Sequence, residues 1–156
     1  MQMVQNVKIV NPDGPQAAAS AFTTATNSVN MTNYNRCMIV LDLVQAGAGT
    51  ATVTLKQGTT TTASTALAYT KYWKNEDGGD TLTQVVASTL TTAGAYTGAN
   101  RYVFEVKAED LTKTSANKYI RCNIAALSNN TAANLSYYLY EPRFGSSAGS
   151  LPDGDA

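Results

Sequence analysis

Short runs of alternating apolar and polar side chains, each broken by turn residues, constrain the fold of this chain more than any other feature. In the clearest run, Tyr102, Phe104 and Val106 share one face while Glu105 and Lys107 occupy the other. Side chains that alternate with a period of two residues point to opposite faces of a strand. The run therefore predicts a strand with one buried face and one wet face.

Similar patterns predict the other strands. The run Gln2–Val10 ends at a turn segment that contains two prolines, so we expect an edge strand there. The apolar run Cys37–Val44 is bounded by turn signals and predicts a central strand covered on both faces. A short glycine-rich connection at 45–49 then predicts a hairpin with the alternating run 51–56. Further strands are predicted at 82–86, 120–126 and 135–140.

The predicted elements define the fold class. No segment keeps a helical period, and only Glu109–Leu111 is predicted to form a single helical turn. A parallel α/β architecture is excluded, because it needs crossover helices between its strands. We predict an all-β fold, an antiparallel β-sandwich or jelly-roll-like single domain of seven or eight strands with flexible termini. The domain would span 1–144, with 1–12 as either an N-terminal arm or an edge strand, and 145–156 would be a flexible C-terminal tail.

Charge and hydropathy exclude several classes of partner. Eleven basic and eleven acidic residues cancel to a formal net charge of zero, whereas a nucleic-acid-binding protein depends on an excess of Lys and Arg. We therefore expect no nucleic-acid partner. The N-terminus lacks the pattern of a signal peptide, and no run approaches the roughly 18 apolar residues of a membrane span. We expect a soluble chain with no membrane partner.

The sequence also lacks the residues of common active sites. It contains no histidine, and histidine is the commonest general base and metal ligand. The nucleophile-elbow, phosphate-loop and dinucleotide-binding motifs are missing too. We therefore expect no enzymatic activity, no cofactor and no metal site. The acidic pairs at 76–77 and 109–110 are interpreted as solvated turn residues, and calcium binding at Asn75–Asp80 is the alternative.

The two cysteines, Cys37 and Cys122, lie in apolar runs far apart in the sequence. Buried free thiols that act as small apolar side chains are the simplest interpretation. A disulfide between neighbouring strands is the alternative, although a single pair is well below the cysteine density of a disulfide-stapled secreted domain.

Aromatic side chains are the candidates for a binding surface. Tyr69, Tyr72 and Trp73 could stack on sugar rings, or they could pack in the core or at a subunit contact. The run 135–140 divides its tyrosines between two faces, so at least one ring is expected outside the core. The predicted interface residues are Tyr69, Tyr72, Trp73, Tyr96, Tyr138 and Tyr140.

Six segments in a fixed order carry a resemblance to a known family. They are Tyr34–Cys37, Ala51–Gln57, Ala68–Lys74, Tyr102–Val106 with Glu109–Leu111, Tyr119–Cys122 and Tyr140–Phe144. In this series the chain resembles small virion structural proteins of tailed bacteriophages, and the likeness extends from Val7 to Phe144. The motifs are structural, and the family has no catalytic residues to transfer.

The resemblance implies a protein attached to the phage particle, as a capsid decoration or cement protein on the outside of the assembled head. Its partners would be the major capsid protein and further copies of itself, as a homotrimer or another homo-oligomer. It would be made in the host cytoplasm and would reside on the virion. A receptor- or carbohydrate-binding module of the tail or spike is the alternative, with Tyr69, Tyr72, Trp73 and Tyr96 as its aromatic residues.

Overall fold

Twelve β-strands and two short 3-10 helices make up the described part of the computed structural model, which comprises residues 7–11, 16–17, 28–45, 51–76, 79–92, 98–125 and 130–143. In chain order the strands are β1 (Val7–Val10), β2 (Gln16–Ala17), β3 (Val29–Asn30), β4 (Tyr34–Gln45), β5 (Thr52–Gly58), β6 (Thr65–Leu67), β7 (Tyr72–Asn75), β8 (Thr83–Val85), β9 (Leu90–Thr91), β10 (Gly98–Lys107), β11 (Tyr119–Ala125) and β12 (Asn130–Pro142). The helices Ala108–Asp110 and Lys113–Ser115 lie between β10 and β11.

The strands form two antiparallel sheets that share one apolar core. The larger sheet has the order β1-β12-β4-β10-β7-β8, and β2 also pairs with β12. The smaller sheet has the order β3-β11-β5-β6, and β9 also pairs with β5. The predicted all-β sandwich is confirmed. The described residues contain more strands than predicted, because the unpredicted strands β2, β3, β6 and β9 have only two or three residues, too few to display alternation.

Inward side chains of the long strands form the core. β4 contributes Cys37, Ile39, Leu41 and Leu43, which are fully buried. The remaining strands add Tyr102, Phe104 and Val106 from β10, Leu135, Tyr137 and Leu139 from β12, Val53 and Leu55 from β5, and Ile120, Cys122 and Ile124 from β11. Each fully buried Leu, Ile or Phe contributes about 1.5–3 kcal/mol relative to an exposed one. The apolar sides predicted for β10, β11 and β12 are therefore confirmed.

β4 lies at the centre of the larger sheet, as predicted, but only one of its faces is covered. Met38 and Val40 point away from the core and are half-buried, and Val44 is 37% exposed. The prediction of two covered faces is therefore wrong. An uninterrupted apolar run fits a strand buried on both faces, and it fits equally a strand whose outer face is apolar and accessible.

The predicted hairpin between 37–44 and 51–56 is also wrong, because β4 and β5 belong to different sheets. β4 pairs with β12 and β10 in the larger sheet, and β5 pairs with β11 in the smaller one. Alternation identifies the apolar face of a strand but not its hydrogen-bonded neighbour. Connections in a sandwich cross between sheets as well as closing hairpins.

A buried hydrogen bond joins the two sheets, and another buried group ties β5 to β6 and to the connection before β11. The Tyr137 hydroxyl on β12 accepts a hydrogen bond of 2.9 Å from the backbone N–H of Cys122 on β11. The side-chain amide of Gln57 on β5 donates to the carbonyl of Ala66 and to the hydroxyl of Thr112, and it accepts from the Thr112 N–H. These bonds satisfy buried groups and so favour one packing arrangement.

The two ends of the predicted domain differ in how much is described. Residues 7–10 form β1, an edge strand of the larger sheet that pairs with β12. The remainder of the predicted arm at 1–12, apart from residue 11, lies outside the described residues, as does the tail 145–156. The predicted helical turn is present as the 3-10 helix Ala108–Asp110. Among the described residues, no helix has the length and hydropathy needed to cross a membrane.

Cys37 and Cys122 are both buried free thiols, as the simplest interpretation of their apolar runs predicted. Burial raises the pKa of both thiols, that of Cys122 to about 12. Both therefore remain protonated at neutral pH and act as small apolar side chains.

Removal of the Tyr137 hydroxyl tests the bond between the sheets. We expect Tyr137→Phe to lower the free energy of unfolding by about 1–3 kcal/mol, because it leaves the buried Cys122 N–H without its acceptor. Urea denaturation measures the difference. Tyr72→Phe is the matched control, since the ring of Tyr72 is also buried but its hydroxyl has no hydrogen-bond partner among the described residues. Equal losses in the two variants would contradict this role for Tyr137.

Candidate interaction surface

The side chains of the larger sheet that point away from the core form a surface, named here the outer face. Directly opposed residues of antiparallel strands lie on the same side of a sheet. One row of such residues crosses β1, β12, β4 and β10 through Ile9, Tyr138, Met38 and Glu105. Ile9 is 62% exposed at the sheet edge.

A second row continues the outer face toward β7. It consists of Ser136, Val40, Val103 and Trp73, on β12, β4, β10 and β7. Val40 and Trp73 are half-buried, whereas Ser136 and Val103 are almost fully covered by their neighbours. The two rows together place apolar or aromatic side chains on five strands of one sheet.

An outer face of this composition is unusual for a sheet exposed to water. The solvated side of an antiparallel sheet normally carries polar residues. Contiguous apolar surface rimmed by polar groups marks a site where another molecule binds. The outer face is therefore the candidate interaction surface of this chain.

The structure brings three of the six predicted interface residues together on the outer face. Tyr138 and Tyr140 project from β12 and Trp73 from β7, and all three are half-buried. Tyr96 lies outside the described residues.

Tyr69 and Tyr72 require a correction, because their rings lie in the core and not on a surface. They are 8% and 7% exposed, and they pack against Phe104 with ring centroids 5.1 and 5.8 Å away. The Tyr69 hydroxyl donates to the carbonyl of Val53. Of the three rings proposed as a sugar-stacking group, Trp73 alone is accessible.

Charged groups at one end of the outer face form a bonded cluster. The Glu105 carboxylate accepts hydrogen bonds from the Tyr140 hydroxyl at 2.6 Å and from Arg36 Nη1 at 2.8 Å. Arg36 also pairs with Glu141 through its Nε at 3.1 Å. The hydrogen bond from Tyr140 and the contacts with Arg36 lower the pKa of Glu105. Burial, together with the Glu105 carboxylate, raises the pKa of Tyr140 to about 12.

A second ion pair lies at the opposite end of the outer face. Arg101 on β10 donates to both carboxylate oxygens of Asp42 on β4, at 2.7 and 3.3 Å. The two residues are direct partners in the sheet register. The Arg101–Asp42 pair is thus neutral, whereas the cluster has two carboxylates around one cation, Arg36.

Sequence reasoning missed the aliphatic part of the outer face. Ile9, Met38, Val40 and Val103 were assigned to strands, and nothing marked their outward side chains as a shared surface. Runs such as 37–44 and 102–106, in which apolar residues occupy both faces, are the signal that could have identified them. The missing information was the strand order, which places these side chains side by side.

A cleft opens beside Trp73, where the chain passes from β6 in the smaller sheet to β7 in the larger one. It is named here the Trp73 cleft and has a volume of about 390 Å³. Its lining comprises Leu67–Lys71, Trp73, Glu105–Lys107 and Asp110. Volumes of 300–1,000 Å³ are typical of ligand sites.

The described residues contain no group of three or more cysteine and acidic side chains placed to hold a metal ion. In the segment Asn75–Asp80, where calcium was the alternative prediction, Asp77 and Gly78 lie outside the described residues. Asn75 donates a hydrogen bond to the Gly79 carbonyl, and Glu76 pairs with Lys74.

Comparison of the sequence with known proteins found no match to a family model. It also found no curated protein with significant similarity. Functional assignment therefore depends on the residues and the geometry of the chain itself.

The bonded cluster around Glu105 predicts a pH-dependent contribution to stability. Because the pKa of Glu105 is lowered in the folded protein, its contribution is complete above the unfolded pKa of about 4.3 and is lost as the pH falls through the folded value. We expect Tyr140→Phe to lower the free energy of unfolding by about 1 kcal/mol at pH 7. The loss should be smaller at a pH below the folded pKa of Glu105, where its carboxylate is protonated.

Urea denaturation at the two pH values measures this difference. Tyr138→Phe is the control, because Tyr138 shares the outer face and its hydroxyl has no hydrogen-bond partner among the described residues. If Tyr140→Phe caused the same loss at both pH values, the bond to ionised Glu105 would not be its source.

Proposed function

We propose that this chain is a phage virion structural protein, a capsid decoration or cement protein that binds the outside of the assembled head and stabilises it. The observation that carries the proposal is the apolar outer face of the larger sheet. The six-segment resemblance to virion structural proteins indicates the kind of assembly. The role is non-enzymatic and needs no cofactor.

The composition of the outer face suits a protein that is held against a large partner. Ile9, Tyr138, Met38 and Trp73 offer apolar and aromatic area at the accessible surface. Aromatic residues and Met are enriched at protein interfaces, whereas Lys, Glu and Asp are depleted there. Burying such area supplies the favourable free energy of association.

The charges of the outer face support the same function. Arg36 bonds to both Glu105 and Glu141, and Arg101 bonds to Asp42. Removing a charge from water without giving it a partner is strongly unfavourable. In an ion pair that is already formed, the attraction and hydrogen bonds between the partners persist when the pair is covered. A partner can therefore cover these pairs without supplying a counter-charge for each of them.

A decoration protein stabilises the head by linkage. It binds the assembled lattice and not the free subunits, so it favours the assembled state in the way that any ligand favours the state it binds. Many copies on a symmetric shell, or oligomers of this chain such as trimers, contact the shell at several points at once. After the first contact, the effective concentration for each further contact is high, so the copies are strongly retained. Modest contacts by each outer face are then sufficient.

The carbohydrate-binding alternative has less support from the geometry. It was based on several stacking rings, and Tyr69 and Tyr72 are part of the core. Trp73 is the only one of the three that a sugar could reach. The outer face, by contrast, extends over five strands, which suits a protein partner better than a glycan.

Particles made without this protein test the proposal. We expect them to release their DNA at lower temperature and after milder osmotic shock than complete particles, because the lattice loses the free energy of decoration. Dye fluorescence during a thermal ramp measures DNA release. Addition of the purified protein should restore resistance. If particles without it survived heat and shock as well as complete ones, the cementing function would be wrong.

A variant on the outer face locates the contact. We expect Tyr138→Asp to reduce the number of copies retained on heads by about tenfold or more, because a partner would bury an unpaired carboxylate. Ala66→Asp is the matched control, since it adds the same charge at an exposed position of the smaller sheet. Quantitative mass spectrometry of purified particles measures the copy number. Equal retention of the two variants would place the contact elsewhere on the molecule.

A further inference from the structure

β10 loses its neighbour on one side part-way along its length. Its residues Arg101, Tyr102 and Val103 pair with β7, and the last of these lies opposite Trp73. On its other side β10 stays paired with β4 as far as Lys107. In the described residues, the stretch 104–107 therefore has a strand partner on one side alone. Its other side faces the Trp73 cleft, because Glu105, Val106 and Lys107 line that cleft.

The backbone direction at this edge follows from one hydrogen bond. The Lys107 N–H donates to Asp110 Oδ2 at 3.0 Å, and Asp110 also lines the cleft. Backbone groups of alternate residues in a strand point to the same side. Glu105, two residues earlier, therefore directs its N–H and C=O toward the cleft. An unpaired strand edge of this kind is a template for another strand.

The edge remains accessible because the chain that precedes β7 turns away. The segment Leu67–Lys71 leads back to β6 in the smaller sheet, so it does not extend β7 along β10. The Gln57 amide anchors the chain just before this segment, because it donates to the Ala66 carbonyl and to the Thr112 hydroxyl.

A lysine in the cleft favours an acidic ligand. Glu105 is already bonded to Arg36 and Tyr140, and Asp110 accepts a hydrogen bond from the backbone N–H of Lys107. The Lys71 ammonium instead lies 5.4 Å from the centre of the Trp73 ring. No carboxylate of a described residue lies within ion-pair distance of it. An added carboxylate therefore has a cation to meet at Lys71.

We propose that the Trp73 cleft binds an extended, acidic polypeptide segment of a partner protein, which adds to the larger sheet as a strand along β10. Backbone hydrogen bonds to Glu105 would supply affinity, and side chains would supply selectivity. The Lys71 ammonium would meet a carboxylate of the segment, and the Trp73 ring would meet an apolar side chain. The site goes beyond the proposed function and does not depend on it.

The tryptophan of the cleft gives a direct readout, because Trp73 is the only tryptophan in the chain. The probe is the capped hexapeptide acetyl-Thr-Asp-Thr-Val-Thr-Asp-amide, added to the isolated full chain. We expect a saturable change in Trp73 emission with a dissociation constant below about 1 mM. The Glu105 amide should exchange more slowly with deuterium in the complex, as a paired strand amide does.

Modified peptides separate strand addition from charge attraction. Two versions of the probe are N-methylated on alternate amides, one at the odd positions and one at the even positions. One version should lose binding and the other should keep it, because only one set of amides faces β10. A probe with lysine in place of aspartate should not bind. If both methylated versions bound as well as the parent, strand addition would be excluded.

Protein variants test the cation. We expect Lys71→Glu to weaken probe binding by about tenfold. Lys56→Glu, an equal charge change on the smaller sheet, should leave binding unchanged. Absence of any probe-dependent change in Trp73 emission or in Glu105 exchange would overturn the proposal. A response of Trp73 to soluble oligosaccharides but not to the probe would also overturn it, in favour of a glycan site.

Discussion

The pairing of β4 along both of its edges is the constraint on which the rest of the structure depends. β12 and β10 flank this twelve-residue strand over nearly its whole length. Its inward residues Cys37, Ile39, Leu41 and Leu43 are fully buried and set the centre of the core. The fixed register then determines which side chains of three strands point outward together. The outer face is therefore a consequence of how the core is built.

The sequence predicted the class of fold and the burial of the best-patterned strands. Leu135, Tyr137 and Leu139 alternate cleanly with their neighbours, and their inward positions follow from the period alone. The order of the strands in each sheet could not be predicted, because it depends on which strands pair and not on the alternation of side chains within each strand. For that reason a hairpin was expected across 45–49, and β4 was expected to be covered on both faces.

The candidate site was predictable only in part. Tyr138 and Tyr140 could be identified as outward because they alternate with the core residues of β12. Tyr69 and Tyr72 could not be separated from Trp73, since a short aromatic run gives no period. In the structure, Tyr69 lies between β6 and β7 and Tyr72 lies at the start of β7, and both rings pack into the core. Trp73, the next residue, lies on the outer face. The unpaired edge of β10 beside Trp73 arises because the chain crosses from one sheet to the other between β6 and β7. No local sequence pattern predicts this crossing.

We propose that the outer face of the larger sheet binds the assembled phage head. A reconstruction of the virion at a resolution that shows side chains tests it most directly. We expect density for this chain on the capsid exterior, with Ile9, Tyr138 and Met38 against the major capsid protein. An outer face that pointed to solvent, or a chain that contacted only the tail tube or baseplate, would contradict this role.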